Sequence, residues 1–318
     1  MAAYDVCNGD ADGLFALRQL RLAEPLSATL ITGLKREIAL LQRVPAAAGD
    51  QVTVLDLSLA RNREALERLL AAGAYLRWYD HHEPGAIPSH PNLQVHIDTD
   101  PRVCTSMLVD RALAGRFRPW AIAAAYGDNL TESAQALADT LGLDAAQRAA
   151  LQRLGEAVNY NAYGEDPTDA VIAPAALFKW LTQFDDAFAA AQAPLIAHLE
   201  ATRQADLAAA EALPPQHANA HSAVYVLPDA PWSRRVLGSF ANRLAQRAPD
   251  RAHAVLRVRP DGTYLVSVRA PLAAARGADT LARAFGGGGR PAAAGIDRLP
   301  QARLPQFVAR FASWWATD

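Results

Sequence analysis

Asp80-His81-His82 sets a carboxylate and two imidazoles on consecutive residues, directly after the apolar stretch Tyr75-Leu76-Arg77-Trp78-Tyr79. Three more carboxylates stand in the same relation to apolar runs. Asp10 and Asp12 follow Tyr4-Asp5-Val6-Cys7, and Asp56 follows Val52-Thr53-Val54-Leu55. Carboxylate oxygens suit hard or borderline cations such as Mg²⁺ and Mn²⁺, and imidazole nitrogen suits the transition metals. Gathered at one place, these groups suit two divalent ions. Taken singly they are weaker. Asp10-Ala11-Asp12-Gly13 also reads as an Asp-rich turn capping a helix, and Asp56 as a helix cap, a role open equally to Ser58. The paired histidines carry the metal reading, because solvated turns rarely need them.

These side chains meet only if the chain brings strand ends to one edge. Asp12-Gly13 leads into Leu14 to Leu22, which reads as a helix; Leu30 to Gly33 reads as a second strand and Glu37 to Arg43 as a short helix. Asn62 to Ala72 reads as another helix, stopped by Gly73. Repeated strand–helix units predict an α/β fold with a parallel sheet and helices on both faces. Such sheets bind ligands beyond the carboxyl ends of their strands. Asp128 belongs to the set if the apolar segment 121–126, running into Gly127-Asp128-Asn129-Leu130, ends at that edge. It reads equally as a helix C-terminus followed by a turn.

From Thr105 to about Trp180 the pattern is mostly helical, with a turn-rich insertion at Asn159 to Pro167. Asn159 to Tyr163 suits base stacking or a purely structural loop; Asn8, Lys35 and Arg36 are weaker candidates for the cleft. The alanine-rich stretch Pro194 to Ala212 ends at Pro214-Pro215 and reads as a connecting helix. Beyond it, Ala223 to Leu227, His253 to Val258 and Tyr264 to Arg269 read as strands, the last two joined by an Asp261-Gly262 hairpin. The expected organisation is a domain over 1–192, a connecting helix and linker over 193–216, and a smaller mixed α/β domain over 217–318.

A chain of 318 residues is long for one core. A formal charge of −2 argues against a chain-wide basic surface for long duplex nucleic acid, though not against a local basic groove. Two cysteines, Cys7 and Cys104, make no disulfide framework and no Cys-x-x-Cys zinc pattern. The N-terminus has no basic, apolar signal region, and no uncharged stretch approaches the roughly 20 residues of a membrane span. A cytoplasmic protein without a membrane partner is expected, as monomer or homodimer.

The second domain has one unusual run, Gly286-Gly287-Gly288-Gly289-Arg290, followed by Pro291-Ala292-Ala293-Ala294-Gly295. Glycines before a cation let backbone N–H groups approach an anion, and Arg290 adds a bidentate donor. The spacing fits neither the Walker loop nor the dinucleotide fingerprint. A linker is the other reading, but Phe285 and the small apolar residues after the run favour a packed turn. Arg269, ending a strand, is a second phosphate contact or a plain surface arginine.

In this order the chain resembles the DHH/DHHA1 phosphoesterases, a family that includes RecJ-type exonucleases, nano-RNases and enzymes hydrolysing linear or cyclic dinucleotides. The matching residues are Asp10-Ala11-Asp12-Gly13, Asp56, Asp80-His81-His82 and Gly127-Asp128, with Cys104-Thr105-Ser106 as the small-residue segment after the third motif. Gly287 to Gly295 matches Gly-Gly-Gly-His-x-x-Ala-Ala-Gly except that Arg290 replaces histidine. Val6 stands where the nano-RNase branch has a metal-binding histidine. The resemblance implies two ions, Mn²⁺ or else Mg²⁺: one on Asp10 and Asp56, the other on Asp12, Asp56, His81 and Asp128. It implies His82 at the scissile phosphate, Asp80 orienting a histidine, and Arg269, Arg290 and the amides of Gly287, Gly288 and Gly289 on another phosphate. The implied substrate is a linear dinucleotide of the pGpG type or a very short oligonucleotide. Removal of the 3′-phosphate of pAp, single-strand exonuclease action and a catalytically weakened nucleotide sensor are the alternatives.

Overall fold

The computed structural model describes residues 1–45 and 47–316. The chain divides into two compact units, Met1–Ala201 and Thr202–Asp318. In the first, strands β1 (Ala3–Asn8), β2 (Thr29–Gly33), β3 (Gln51–Leu55), β4 (Tyr75–Asp80) and β5 (Leu93–Ile97) form one sheet in the order β2-β1-β3-β4-β5. Every pairing in it is parallel.

Neighbouring residues of the central strands enter opposite cores, as the two-residue period of a strand requires. Val6, Val54 and Trp78 pack on one face with Leu40, Leu66 and Leu69, including residues of α2 (Arg63–Ala71). Cys7, Leu55 and Tyr79 pack on the other, against α1 (Ala11–Ala23), α3 (Thr105–Ala112) and α4 (Arg118–Gly127). Both faces are therefore covered, and the strands read as near-continuous apolar runs for that reason. The helical stretch continues through α5 (Thr131–Thr140), α6 (Ala145–Asn161), α7 (Pro174–Leu181), α8 (Ala187–Gln192) and α9 (Pro194–Glu211). The division between the units falls inside the residue range of α9.

Two local expectations change. Asn159 to Asn161 belong to the last turn of α6, not to a loop. Of the helix expected over Glu37 to Arg43, only a 3₁₀ turn at Leu40–Arg43 forms. Glu37 is engaged elsewhere, accepting from the Leu34 N–H and pairing with Arg43.

The second unit holds a mixed sheet of β6 (His217–Ala218), β7 (Ser222–Leu227), β8 (Ala252–Val258), β9 (Thr263–Arg269), β10 (Gly288–Gly289) and β11 (Ala293–Pro300), in the order β10-β11-β9-β8-β7-β6. Only β7–β8 is a parallel pair. Gly262, at φ 74°, makes the β8–β9 turn. Helices α10 (Pro231–Arg247), α11 (Ala278–Arg283) and α12 (Leu304–Trp314) complete the unit. Its core gathers Val224, Leu256, Val266, Phe285, Ile296, Phe307 and Phe311.

Candidate metal-binding active site

From β1 the chain moves to one side of the sheet for β2 and to the other for β3, so the order reverses between β1 and β3. Such a reversal opens a crevice beyond the carboxyl ends of the strands. A cleft of about 500 Å³ lies at that edge, with Asn8, Asp10, Lys35, Asp56, His81, His82 and Asp128 among its lining residues. A cavity of about 460 Å³ beside Arg21, Glu24, Gln51 and Tyr75 is of similar size. The donor set, not the volume, distinguishes the site.

Local geometry aims each carboxylate. Asp10 is the N-cap of α1, its Oδ1 accepting from the Gly13 N–H at 3.1 Å. A Cβ at Gly13 would lie 2.3 Å from the Asn8 carbonyl oxygen, so only glycine lets α1 start so close to β1. Asp12 turns to the N-terminus of α3, where its two oxygens accept from the Thr105 and Ser106 N–H groups, each at 2.7 Å. Asp56 has a φ of 56°, a left-handed conformation unusual for a residue with a side chain. Its N–H donates to the Tyr79 carbonyl at 3.0 Å and the Thr105 hydroxyl donates to its Oδ1 at 3.3 Å.

Asp128 caps α4 at its C-terminus. Asn129 follows at φ 62°, and the Asn129 and Leu130 N–H groups donate to the Tyr126 and Ala125 carbonyls. That pairing is a Schellman motif, with Asn in the position glycine usually takes. It stops the helix at the residue that must face the cleft.

The histidines divide by what holds them. His81 Nδ1 donates to the Val103 carbonyl at 2.9 Å, which leaves Nε2 facing Asp56 Oδ1 at 3.5 Å and Asp128 Oδ2 at 3.8 Å. His82 is bonded through Nδ1 to Asp80 Oδ1 at 2.7 Å, and its ring is 47% exposed. Asp80 is fully buried, and its Oδ2 has no hydrogen-bond partner among the described residues. Sequence reasoning singled out every one of these side chains. It missed the Val103 carbonyl, which fixes the His81 ring and has no side-chain signal.

Lys35 enters the centre of the set. Its ammonium donates to Asp10 Oδ2 at 2.5 Å, Asp128 Oδ1 at 3.1 Å and Asn159 Oδ1 at 3.3 Å. Burial alone would lift the Asp10 carboxyl, but the adjacent Lys35 charge outweighs it and holds Asp10 below its ordinary range. Asp56 goes well above that range through burial and the charges of Asp10 and Asp12. Burial, then Asp128, raises Asp12 to about 6. Burial alone would depress His81, yet the bond to Asp56 and the charges of Asp12 and Asp128 carry it to about 10.

This donor set fits a divalent cation. Carboxylates crowded in a buried pocket resist ionising together and need positive charge among them. Asp12, His81 and Asp128 each present a ligand atom within 4.8 Å of the others, and so do Asp56, His81 and His82. The hydrogen bond at His81 Nδ1 is what a histidine ligand requires to hold its tautomer.

The anion-binding candidates of the second unit are arranged differently. The Gly287 N–H donates to the Ala282 carbonyl at 2.9 Å, so it is already engaged. Gly288 and Gly289 form the exposed edge strand β10, paired to Gly295 and Ala294 of β11. Arg290 closes a hairpin through its backbone, its N–H donating to the Ala293 carbonyl at 2.8 Å, while its side chain is exposed. Arg269 donates to Asn242 Oδ1 at 2.6 Å and to Ser267 Oγ at 3.0 Å. It pairs in register with Ala293, next to that hairpin.

The DHHA1 domain family matches residues 219–317. No curated protein matches the chain. A crystal structure of exonuclease RecJ bound to manganese is similar, with a TM-score of 0.62 and 19% identity over 100% of this chain and 90% of that one. RecJ with Mn²⁺ from Thermus thermophilus gives a TM-score of 0.60 and 22% identity, over 100% of this chain but only 52% of that one. The pGpG-specific phosphodiesterase PggH of Vibrio cholerae gives a TM-score of 0.61 and 13% identity, with all of both chains covered. At these identities the likeness is one of fold. Residues 219–317 of the second unit match the DHHA1 domain family, and the chain as a whole shares the fold of the RecJ and PggH structures.

Proposed function

We propose that the protein is a metal-dependent phosphodiesterase that hydrolyses linear dinucleotides of the pGpG type, or very short oligonucleotides, to mononucleotides. The observation that carries this is the convergence of Asp12, Asp56, His81 and Asp128 at the β1/β3 switch, with His82 beside them. The RecJ and PggH folds support a phosphodiester substrate, and the full mutual coverage with PggH favours a short one.

Asp12, Asp56, His81 and Asp128 would hold a divalent ion, Mn²⁺ or Mg²⁺. When bound it supplies Lewis acidity and lowers the pKa of water. The protein does the rest. Because Val103 takes the Nδ1 proton, His81 turns Nε2 towards Asp56 and Asp128, where an ion would displace its second proton. His82, its Nδ1 proton held by Asp80, turns Nε2 outward, where an imidazole steadies negative charge growing on a phosphoryl group. Arg290 is the proposed grip on a further phosphate, as an exposed guanidinium at the tip of a hairpin.

Purified protein assayed with Mn²⁺ against pGpG, pAp and a 5′-phosphorylated 20-mer tests the reading. Turnover of pGpG well above the other two is expected. Preference for the 20-mer would make it an exonuclease, preference for pAp a 3′-phosphatase. Tight dinucleotide binding without turnover would make it a sensor.

A further inference from the structure

Asp10 is the carboxylate that the two-ion scheme assigns to the first metal, yet it already pairs with a full positive charge, whereas the Asp12 oxygens accept only from neutral backbone N–H groups. Oδ1 accepts from the Gly13 N–H and Oδ2 from the Lys35 ammonium. The three acceptors around Lys35 come from the ends of β1, α4 and α6, one for each ammonium proton. The Tyr163 ring lies 5.8 Å from the same ammonium. The Lys35 side chain is 29% exposed, enough to touch the cleft but not to hang in solvent.

The backbone carrying Lys35 is fastened on both sides. Its N–H donates to the Ala162 carbonyl at 3.0 Å, and its own carbonyl accepts from Asn8 Nδ2 at 3.4 Å. The preceding Leu34 N–H is held by Glu37. Meanwhile the histidine that the nano-RNase branch places four residues before Asp10 is missing, Val6 standing there instead. Val6 is buried in the apolar core with Leu40, Val54 and Trp78. The Asn8 amide oxygen accepts from the Asp10 N–H at 3.3 Å.

We infer that the Lys35 ammonium takes the place of one of the two divalent ions, so that the site works with a single metal on Asp12, Asp56, His81 and Asp128. The inference rests on the reading of this site as a metal-dependent hydrolase. A cation placed on Asp10 would meet the ammonium on Oδ2, with Oδ1 held by the Gly13 N–H, and be repelled; Asp128 meets Lys35 through Oδ1 alone and keeps Oδ2 towards His81. A covalently attached charge cannot be lost by dilution or chelation. Asp10 thereby becomes a positioning residue for Lys35 instead of a metal ligand.

Counting manganese tests this without relying on activity. Chelator-stripped full-length protein is titrated with Mn²⁺ alone, bound metal is measured by mass spectrometry after desalting, and the ions are examined by electron paramagnetic resonance. One Mn²⁺ per chain with an isolated mononuclear signal is expected. Lys35→Ala and Lys35→Met should take up a second ion and show an exchange-coupled manganese pair, while Lys35→Arg stays at one. Circular dichroism confirms that each variant folds, and the wild-type count decides the matter even if a variant does not. Two coupled ions in the wild type, with pGpG hydrolysed, would overturn the inference and leave the hydrolase reading standing. One ion in the folded Ala and Met variants would remove Lys35 as the reason. No bound Mn²⁺ and no hydrolysis would remove both.

Discussion

Asp56 and Asp80 end neighbouring strands and are both buried, yet their surroundings separate their work. Asp56 faces His81 Nε2 at 3.5 Å, whereas Asp80 is directed to His82 Nδ1 at 2.7 Å. Asp56→Asn should therefore abolish stoichiometric Mn²⁺ binding and, with it, hydrolysis. Asp80→Asn should keep the metal and lower kcat by about 10–100-fold, the usual effect of losing a partner that orients a working histidine. Metal analysis beside steady-state kinetics separates the two, and metal loss from Asp80→Asn would refute the division. At this scale the paired histidines were the legible part, because solvated turns rarely need them, whereas Asp10 and Asp56 taken singly read as helix caps, and Asp10 is indeed the N-cap of α1. Lys35 was harder to place. One lysine after a strand looks like any surface lysine until the fold shows Asp10, Asp128 and Asn159 around it.

Asp128 owes its position to α4, and α4 owes its own to a close crossing with α6. A Cβ on Gly155 of α6 would lie 1.9 Å from the Ala123 carbonyl oxygen and 3.0 Å from the Gly127 nitrogen. Alanine favours helices over glycine by about 1 kcal/mol, but overpacking against backbone typically costs about 1–3 kcal/mol or more. The clash should win. Gly155→Ala is expected to lower stability by about 1–2 kcal/mol in denaturant titration and to weaken Mn²⁺ binding, since α4 must shift at the end that bears Asp128. Unchanged stability and metal affinity would show that the crossing relaxes without moving the site. Element type was less legible here than residue role. The segment from Trp120 to Gly127 is buried throughout, so it lacks the one-sided period that distinguishes a surface helix from a buried strand. Strand β5 gave little signal because Leu93, Val95 and Ile97 are only partly buried at the sheet edge. In β10 and β11, glycine and alanine stand where a strand usually shows large β-branched residues.

Each apolar cluster is drawn from a single unit, two from the first and one from the second. Separate cores predict two unfolding transitions in calorimetry, with a different agent acting on each. Mn²⁺ bound at the proposed site would stabilise the folded first unit and should raise only that transition. Acid should lower the other through His253, which lies on β8 in register with Ala223 of β7 and Arg269 of β9. Burial depresses its pKa from 6.5 to about 4, helped by the Arg251 charge and opposed by a bond to the Arg251 backbone; its Nδ1 has no hydrogen-bond partner among the described residues. A depressed histidine is neutral when folded and takes up its proton first when unfolded. Its contribution is thus fully present above pH 6.5 and falls away as the pH drops toward 4. Between pH 7 and 5 that loss amounts to about 2 kcal/mol, which is several degrees for a unit of this size. His253→Gln should flatten the pH slope of the second transition and leave the Mn²⁺ response of the first intact. A single transition would show that the two cores do not unfold separately, and an unchanged pH slope of the second transition in His253→Gln would show that His253 is not the group that titrates.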